Sequence, residues 1–421
     1  MNGNDRKITG LVMLAHAMVH TYELSLPILL TVWAVEFTQL SVPLVGTFAA
    51  TSFVLGVVLT AGYAPFGIGA LPGGVLADAY GSRPLIVGCL LGMGGSFLAL
   101  ALAPSLLTVA LALVAWGAAA SVYHPAGLAL ISKGVAERGS AFAYHGIAGN
   151  LGIALGPLAT AVLLFVLDDW RLVVAILGVP ALLGAVFAFR VQVDETAAVG
   201  TDGGGDGGDA RASGSVTSLS AFLADSKTLF AGLFALVFGV VMLSGLYYRG
   251  FLTFLPELLG GFDALAPVEF AGRELAPGRY VYVGLLMVGV VGQYVGGKLT
   301  DRIPVEWGLV GGYGALAVLA VVFLPVATAG LVPLLAVCAL MGVALFVVQP
   351  FYQATVAEYT PAGARGLSYG YTYLGVFGVG ALGGAVAGGL LTYFEGATAL
   401  FAVLAVFGTL AAGIGLYLAR R

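Results

Sequence analysis

Apolar residues run through this chain in blocks of about 20 or more, the length a helix needs to cross the hydrocarbon core of a bilayer. Twelve such blocks stand out, at roughly 8–35, 42–76, 84–103, 105–131, 140–166, 170–190, 230–258, 279–299, 307–325, 331–357, 367–393 and 396–419. The longest exceed a perpendicular crossing, so they predict tilted helices or helices that run past the bilayer. The pattern breaks at 194–218, where DETAAVGTDGGGDGGDARASGSVTS is polar and rich in Gly, Asp and Ser. Such a segment has nothing to bury and reads as a flexible linker. The expectation is an all-α integral membrane protein with a six-helix bundle at 1–193, a cytoplasmic linker at 194–228 and a second six-helix bundle at 229–421.

Composition narrows the class further. Of 421 residues, 60% are hydrophobic and 9% charged, against roughly 25% charged in an average soluble protein. With a mean hydropathy of +1.03, a water-soluble enzyme is excluded. The 64 glycines follow no period, which removes a collagen-like reading; small residues instead suit close helix packing in membranes. A net charge of −4 gives no reason to expect a nucleic-acid partner. Cys89 and Cys338 are too far apart for a disulfide framework or a metal-ligand spacing. No Walker-type glycine loop occurs, so ATP hydrolysis within the chain has no support and no cofactor is expected. The N-terminus leads into its apolar block without a small-residue cleavage site, as a retained span does. With the N-terminus inside, 17 Lys and Arg distribute unevenly: all but Arg171, Arg249, Arg273 and Arg279 fall on the inner side. That asymmetry predicts a multi-pass protein of the cell membrane with both termini in the cytoplasm.

The two halves echo one another. GGVLADAYGSRP at 73–84 resembles GGKLTDRIP at 296–304, so Asp78 maps to Asp301. Tyr123-His124-Pro125 resembles Val348-Gln349-Pro350, Arg138-Gly139 resembles Arg365-Gly366, and Pro27 corresponds to Pro256. Four landmarks in order at nearly one offset point to parallel repeats, which transporters place about an axis along the membrane normal.

Gly74, Asp78, Gly81 and Arg83 resemble the signature of the loop between spans 2 and 3 in the major facilitator superfamily, with Ala79 where a basic residue is usual. HAMVHTYELSLPILL at 16–30, YHPAGLALIS at 123–132 and RGSAFAYHGIAGNLGIALGP at 138–157 are similar to the fosmidomycin-resistance-like efflux group. Gly152, Gly156 and Pro157 partly match the family's antiporter motif in span 5, without its following Gly-Gly. The resemblance implies two six-helix bundles that alternate access around a central site. It also implies a cytoplasmic latch in which Asp78 approaches the N-terminus of span 11 near Leu367, helped by Arg83 and Arg138. Gly74, Gly81, Asp301, Arg302 and Arg365 complete this gating set.

Span 1 carries the sharpest chemistry. His16, His20, Glu23 and Pro27 fall at about 0°, 40°, 340° and 20° around a helix, one narrow stripe, with Glu36 on the opposite side. Ionisable groups inside a membrane cost ~2.5–3.5 kcal/mol each by insertion scales and so face a wet cavity or a partner. Burial disfavours the charged forms of a carboxyl group and an imidazole alike. Glu23, helped by His20 and His16, is therefore the expected carrier of a coupling proton. Arg249 stands deep in span 7, which the resemblance implies faces span 1 across the cavity, and calls for an anion: Glu23 or a substrate group. All four histidines lie in the first half and most of the 18 tyrosines in the second. His124, His145, Gln349, Tyr248, Tyr352 and Tyr371 are thus candidates for a substrate cavity with a protonatable wall facing an aromatic one. Asn150 reads as a helix-packing contact beside Gly146, Gly149, Gly152 and Gly156.

The expected function is a secondary transporter, not an enzyme: a monomeric antiporter that expels small molecules or drugs in exchange for protons. The alternatives are a proton symporter or facilitator for uptake of a small solute, anionic or not, and a metal-ion transporter with His16, His20 and Glu23 as ligands.

Overall fold

The structure is a computed structural model of the chain and describes residues 1–199, 219–361 and 364–421, with the side chains of 219, 221 and 365 excepted. Its first half contains α1 (Gly3–Glu36), α2 (Ser52–Ile68), α3 (Ala70–Tyr80), α4 (Ser82–Ala101), α5 (Leu106–Ala120), α6 (Tyr123–Gly134), α7 (Arg138–Leu167) and α8 (Trp170–Arg190). A connecting helix, α9 (Leu219–Phe230), leads to α10 (Phe234–Leu252), α11 (Leu255–Gly260), α12 (Pro277–Thr300), α13 (Val305–Ala327) and α14 (Leu331–Glu358). The next span is α15 (Arg365–Tyr373), a π-helical stretch Leu374–Val379, and α16 (Leu382–Tyr393); α17 (Thr398–Ala419) ends the chain.

Among the described residues eleven stretches are continuous and apolar enough to cross a bilayer, and α2 with α3, bent by 44°, adds a twelfth when the pair is counted as one span. The bend falls at Gly69, next to Pro65 in the last turn of α2, where a missing amide weakens the helix. Packing repeats between the halves. In the first, α1 runs along α7, α2 on α5 and α4 along α8; in the second, α10 runs along α16, α12 on α14 and α13 along α17. These are the same pairings of first with fifth, second with fourth and third with sixth spans. The halves meet where α2 lies on α16 and α7 on α12.

The second span begins later than the apolar pattern suggests. Residues 39–49 form a hairpin of β1 (Gln39–Val42) and β2 (Gly46–Ala49), turning through Leu44 at φ +67°. Pro43 cannot continue a helix, and Thr51 caps α2 by accepting from the Val54 amide. A second hairpin, β3 (Val268–Phe270) with β4 (Arg273–Leu275), stands before α12.

The segment expected to be a free linker from 194 is held at both ends. Asn4 exchanges hydrogen bonds with the backbone of Asp194 at 2.9 Å. The Ala198 amide donates to the Lys133 carbonyl at 3.1 Å. Glu195 accepts from the Ser82 amide at 2.7 Å and the Arg83 amide at 3.0 Å, placing an anion on the amide-rich start of α4. Gly81 permits this turn because its φ of +85° disfavours any side chain. After the linker, α9 packs through Phe230 and Ser226 on Tyr371.

Candidate functional site

Between the bundles lies a cavity of about 580 Å3. Its first-bundle wall carries His16, His20, Glu23, His124, His145 and Asn150; its second-bundle wall carries Tyr247, Tyr248, Gln349, Tyr352 and Tyr373. The protonatable wall and the aromatic wall expected from the sequence therefore face each other. A second cavity of about 590 Å3 holds Asp78 and Lys133 and shares Leu128, Ala129, Ser132, Tyr369 and Tyr373 with the first. Together they open the interior toward the face at which α1 begins and α6 ends.

The other end is shut by contacts between the bundles. The Tyr282 hydroxyl donates to the Leu24 carbonyl at 3.2 Å, Arg279 Nη2 to Thr31 Oγ1 at 3.1 Å, and Arg273 pairs with Asp168 at 2.5 Å. Glu23 lines the cavity on this closed side, and Arg249 is packed behind it. Glu23 Oε1 pairs with Arg249 Nη2, and both side chains are 2% exposed. An unpartnered charge there would carry a large desolvation cost, so each residue requires the other. Arg249 is not part of the cavity wall; it is enclosed by Tyr63, Tyr248 and Phe377, with its guanidinium carbon 3.8 Å from the Tyr63 ring centroid.

The stripe on α1 is a connected chain. His20 Nδ1 lies 2.5 Å from Glu23 Oε2, His20 Nε2 lies 3.1 Å from His16 Nε2, and His16 Nδ1 lies 2.7 Å from the His145 carbonyl oxygen. The His16 ring stacks on that of His145 at 3.8 Å. Gly149 makes room for it, since a Cβ there would lie within 3.1 Å of three His16 ring atoms. Glu36, on the far side of α1, pairs instead with Arg171 at 2.6 Å.

Several expected roles are corrected. Tyr371 does not face the cavity; its hydroxyl donates to Ser226 Oγ at 2.9 Å and its ring packs on Phe230 and Phe238. The connecting helix covers it, and no apolar pattern within span 11 reveals that partner. Asn150 lines the cavity, on the same side as His145. Asp78 does not bond to the start of span 11: its Oδ1 accepts from Lys133 Nζ at 2.7 Å, within the first bundle. Arg83 reaches the end of α8, donating to the Ala188 carbonyl at 3.0 Å and to that of Phe189. Arg138 Nη2 lies 3.5 Å from the Ala198 carbonyl. Gly74 lines the second cavity. Asp301 and Arg302 are exposed at the end of α12, and the side chain of Arg365 lies outside the described residues. Tyr63, Lys133, Glu195 and Tyr282 escaped the sequence reading, because each sits in an apolar block or a loop with nothing to mark its distant partner.

Comparisons with known proteins agree with this architecture. Residues 24–383 match the Major Facilitator Superfamily pattern. The chain is 26% identical over 302 residues to the MFS-type transporter YfnC of Bacillus subtilis, covering 70% of this chain and 67% of the relative. Over 114 residues it is 42% identical to the MFS-type transporter Rv0849 of Mycobacterium tuberculosis, 26% of each chain. Over 117 residues it is 39% identical to the puromycin resistance protein pur8 of Streptomyces alboniger, 27% of this chain and 23% of the relative. The matches to the M. tuberculosis and S. alboniger proteins thus span about a quarter of those relatives' lengths. Its backbone is similar to a bacterial homolog of the human lysosomal transporter Spinster, in an inward-facing and occupied conformation. The TM-score is 0.71 at 13% identity, over 100% of this chain and 98% of that one. The chain belongs to the Major Facilitator Superfamily, whose members are membrane transporters.

Proposed function

We propose that this transporter is a proton-coupled exporter of small molecules in the cell membrane, acting as a monomer with both termini in the cytoplasm. The observation that carries the reading is the buried Glu23–Arg249 pair, which joins the two bundles beneath a cavity lined with histidine and tyrosine. Protonation of the Glu23 carboxylate removes the charge–charge attraction across that joint. The bundles then separate on the closed side and meet on the open side, which is alternating access. His20, bonded to Glu23 and to His16, extends the carboxylate's hydrogen-bonded chain along the cavity wall.

Efflux is favoured over uptake by the relatives' names and by the sequence. One relative is a puromycin resistance protein, and segments of α1, α6 and α7 are similar to the fosmidomycin-resistance-like group. Arg249, the one deeply buried arginine or lysine among the described residues, is already neutralised by Glu23, so an anionic cargo has no free counter-ion there. In inside-out vesicles carrying an acid interior, a cargo molecule should dissipate the pH gradient on addition. Puromycin and other amphipathic aromatic compounds are the first to screen. Failure of any compound to do so, with uptake instead driven from an acid exterior, would replace export by symport.

A further inference from the structure

His16 and His20 stand one turn apart on α1 with their Nε2 atoms facing each other at 3.1 Å. The remaining nitrogen of each ring is already engaged. His16 Nδ1 meets the His145 carbonyl at 2.7 Å, and a carbonyl only accepts, so this nitrogen is assigned the hydrogen. His20 Nδ1 meets a Glu23 oxygen at 2.5 Å, and that carboxylate also pairs with Arg249, so the same assignment holds. Two neutral rings fixed in this way aim lone pairs at one another. A cation between them resolves the conflict.

A third ring completes the arrangement. The His124 centroid is 5.3 Å from that of His16 and 5.8 Å from that of His20. His124 is 6% exposed, lines the cavity, and its Nδ1 is buried without a hydrogen-bond partner. One nitrogen from each of the three rings lies within 4.8 Å of the other two. A bridging proton engages only His16 and His20, whereas one nitrogen of each of the three rings lies within reach of a common ion. A metal ion serves all three.

We propose that His16, His20 and His124 form a binding site for a borderline divalent transition-metal cation of the Zn2+ or Ni2+ class. Imidazole nitrogens suit these ions. Bonds of about 2.0–2.1 Å in a tetrahedral shell set donors roughly 3.4 Å apart. His16 and His20, 3.1 Å apart, are close to that spacing, and closing the 4.8 Å limit of the three-ring group to it takes an approach of roughly 1.4 Å. The outer shell is also in place: a carbonyl holds the back of one ring and a carboxylate the back of the other, as metal-bound histidines require. The fourth position opens into the cavity. Gln349 occupies the place of His124 in the second half, so the ligand set belongs to one bundle. A role for the ion as cargo rests on the cavity being the transport site; binding itself does not.

The test uses the full chain with any affinity tag removed, titrated with Zn2+ by calorimetry and with Co2+ by visible absorption. One Zn2+ per chain is expected, with Co2+ giving d–d bands of a nitrogen-ligated ion that Zn2+ displaces. His124→Gln and His16→Gln should each weaken Zn2+ binding at least tenfold while elution and melting stay unchanged. If His124→Gln does not fold, wild type and His16→Gln decide alone. Absence of saturable binding by wild type, or equal affinity in the variants, overturns the site. The response of Glu23→Gln to a pH gradient is read separately, so loss of one property without the other shows which reading fails.

Discussion

Tyr63 of the first bundle lies under Arg249 of the second, ring centroid to guanidinium carbon 3.8 Å, while its hydroxyl donates to the Glu23 backbone carbonyl at 2.7 Å. One side chain thus supports both members of the ion pair that joins the halves. A desolvated cation–π contact contributes about 2 kcal/mol, and a neutral hydrogen bond about 1 kcal/mol. Tyr63→Phe keeps the ring and should lower thermal stability modestly. Tyr63→Leu should lower it further and slow transport. Equal melting temperatures for the two variants would show that the ring face contributes nothing.

The Glu23–Arg249 pair makes a second prediction. Removing one partner of a buried ion pair costs about 3–5 kcal/mol because the other charge is left unpaired. Arg249→Gln and Glu23→Gln should each destabilise the protein in melting assays. The double variant should melt above Arg249→Gln, since no charge is stranded. Additive losses would mean the two residues are not coupled.

How much of this was legible in the sequence depends on the distance over which each feature is decided. Span number and the stripe of His16, His20 and Glu23 follow from local periodicity, and the structure places all three on the cavity. The depth of Arg249 in span 7 calls for an anion, Glu23 or a substrate group, and the structure supplies Glu23. Asp78 illustrates the opposite case. Its loop motif is readable, but its partner Lys133 is chosen by how α3 packs on α6, which no local pattern encodes. The hairpin from residue 42 onward falls inside the apolar block of span 2, because Val42, Leu44 and Val45 are as apolar as a helix would be. The ends of the linker and the covering of Tyr371 by α9 were likewise hidden, because both depend on tertiary docking.

Asp78 and Lys133 are 39% and 47% exposed, so their pair should add no more than about 1 kcal/mol to stability. Asp78→Asn is expected to leave expression and melting near wild type while slowing transport. The exchange Asp78→Lys with Lys133→Asp should restore transport if the pair between α3 and α6 is what matters. Failure of the exchange, with both singles impaired, would return the role to a contact between Asp78 and span 11.

Gly149 is packed against the His16 ring, so Gly149→Ala forces that ring to shift. Overpacking of this kind costs roughly 1–3 kcal/mol. The variant should fold with a lowered melting temperature and lose transport out of proportion, because His16 connects His20 to His145. Gly146→Ala, which meets open space, is the matched control and should melt as wild type does. Equal behaviour of the two variants would separate His16 from the transport cycle.

The central claim is that a proton on the Glu23 carboxylate drives the exchange of access between the two faces. Its most direct test is flux in proteoliposomes under an imposed pH gradient, comparing wild type with Glu23→Gln that elutes as a single species. Wild type should accumulate cargo against its gradient, while Glu23→Gln should exchange cargo downhill and ignore the pH difference. Gradient-driven accumulation by Glu23→Gln at the wild-type rate would contradict the account.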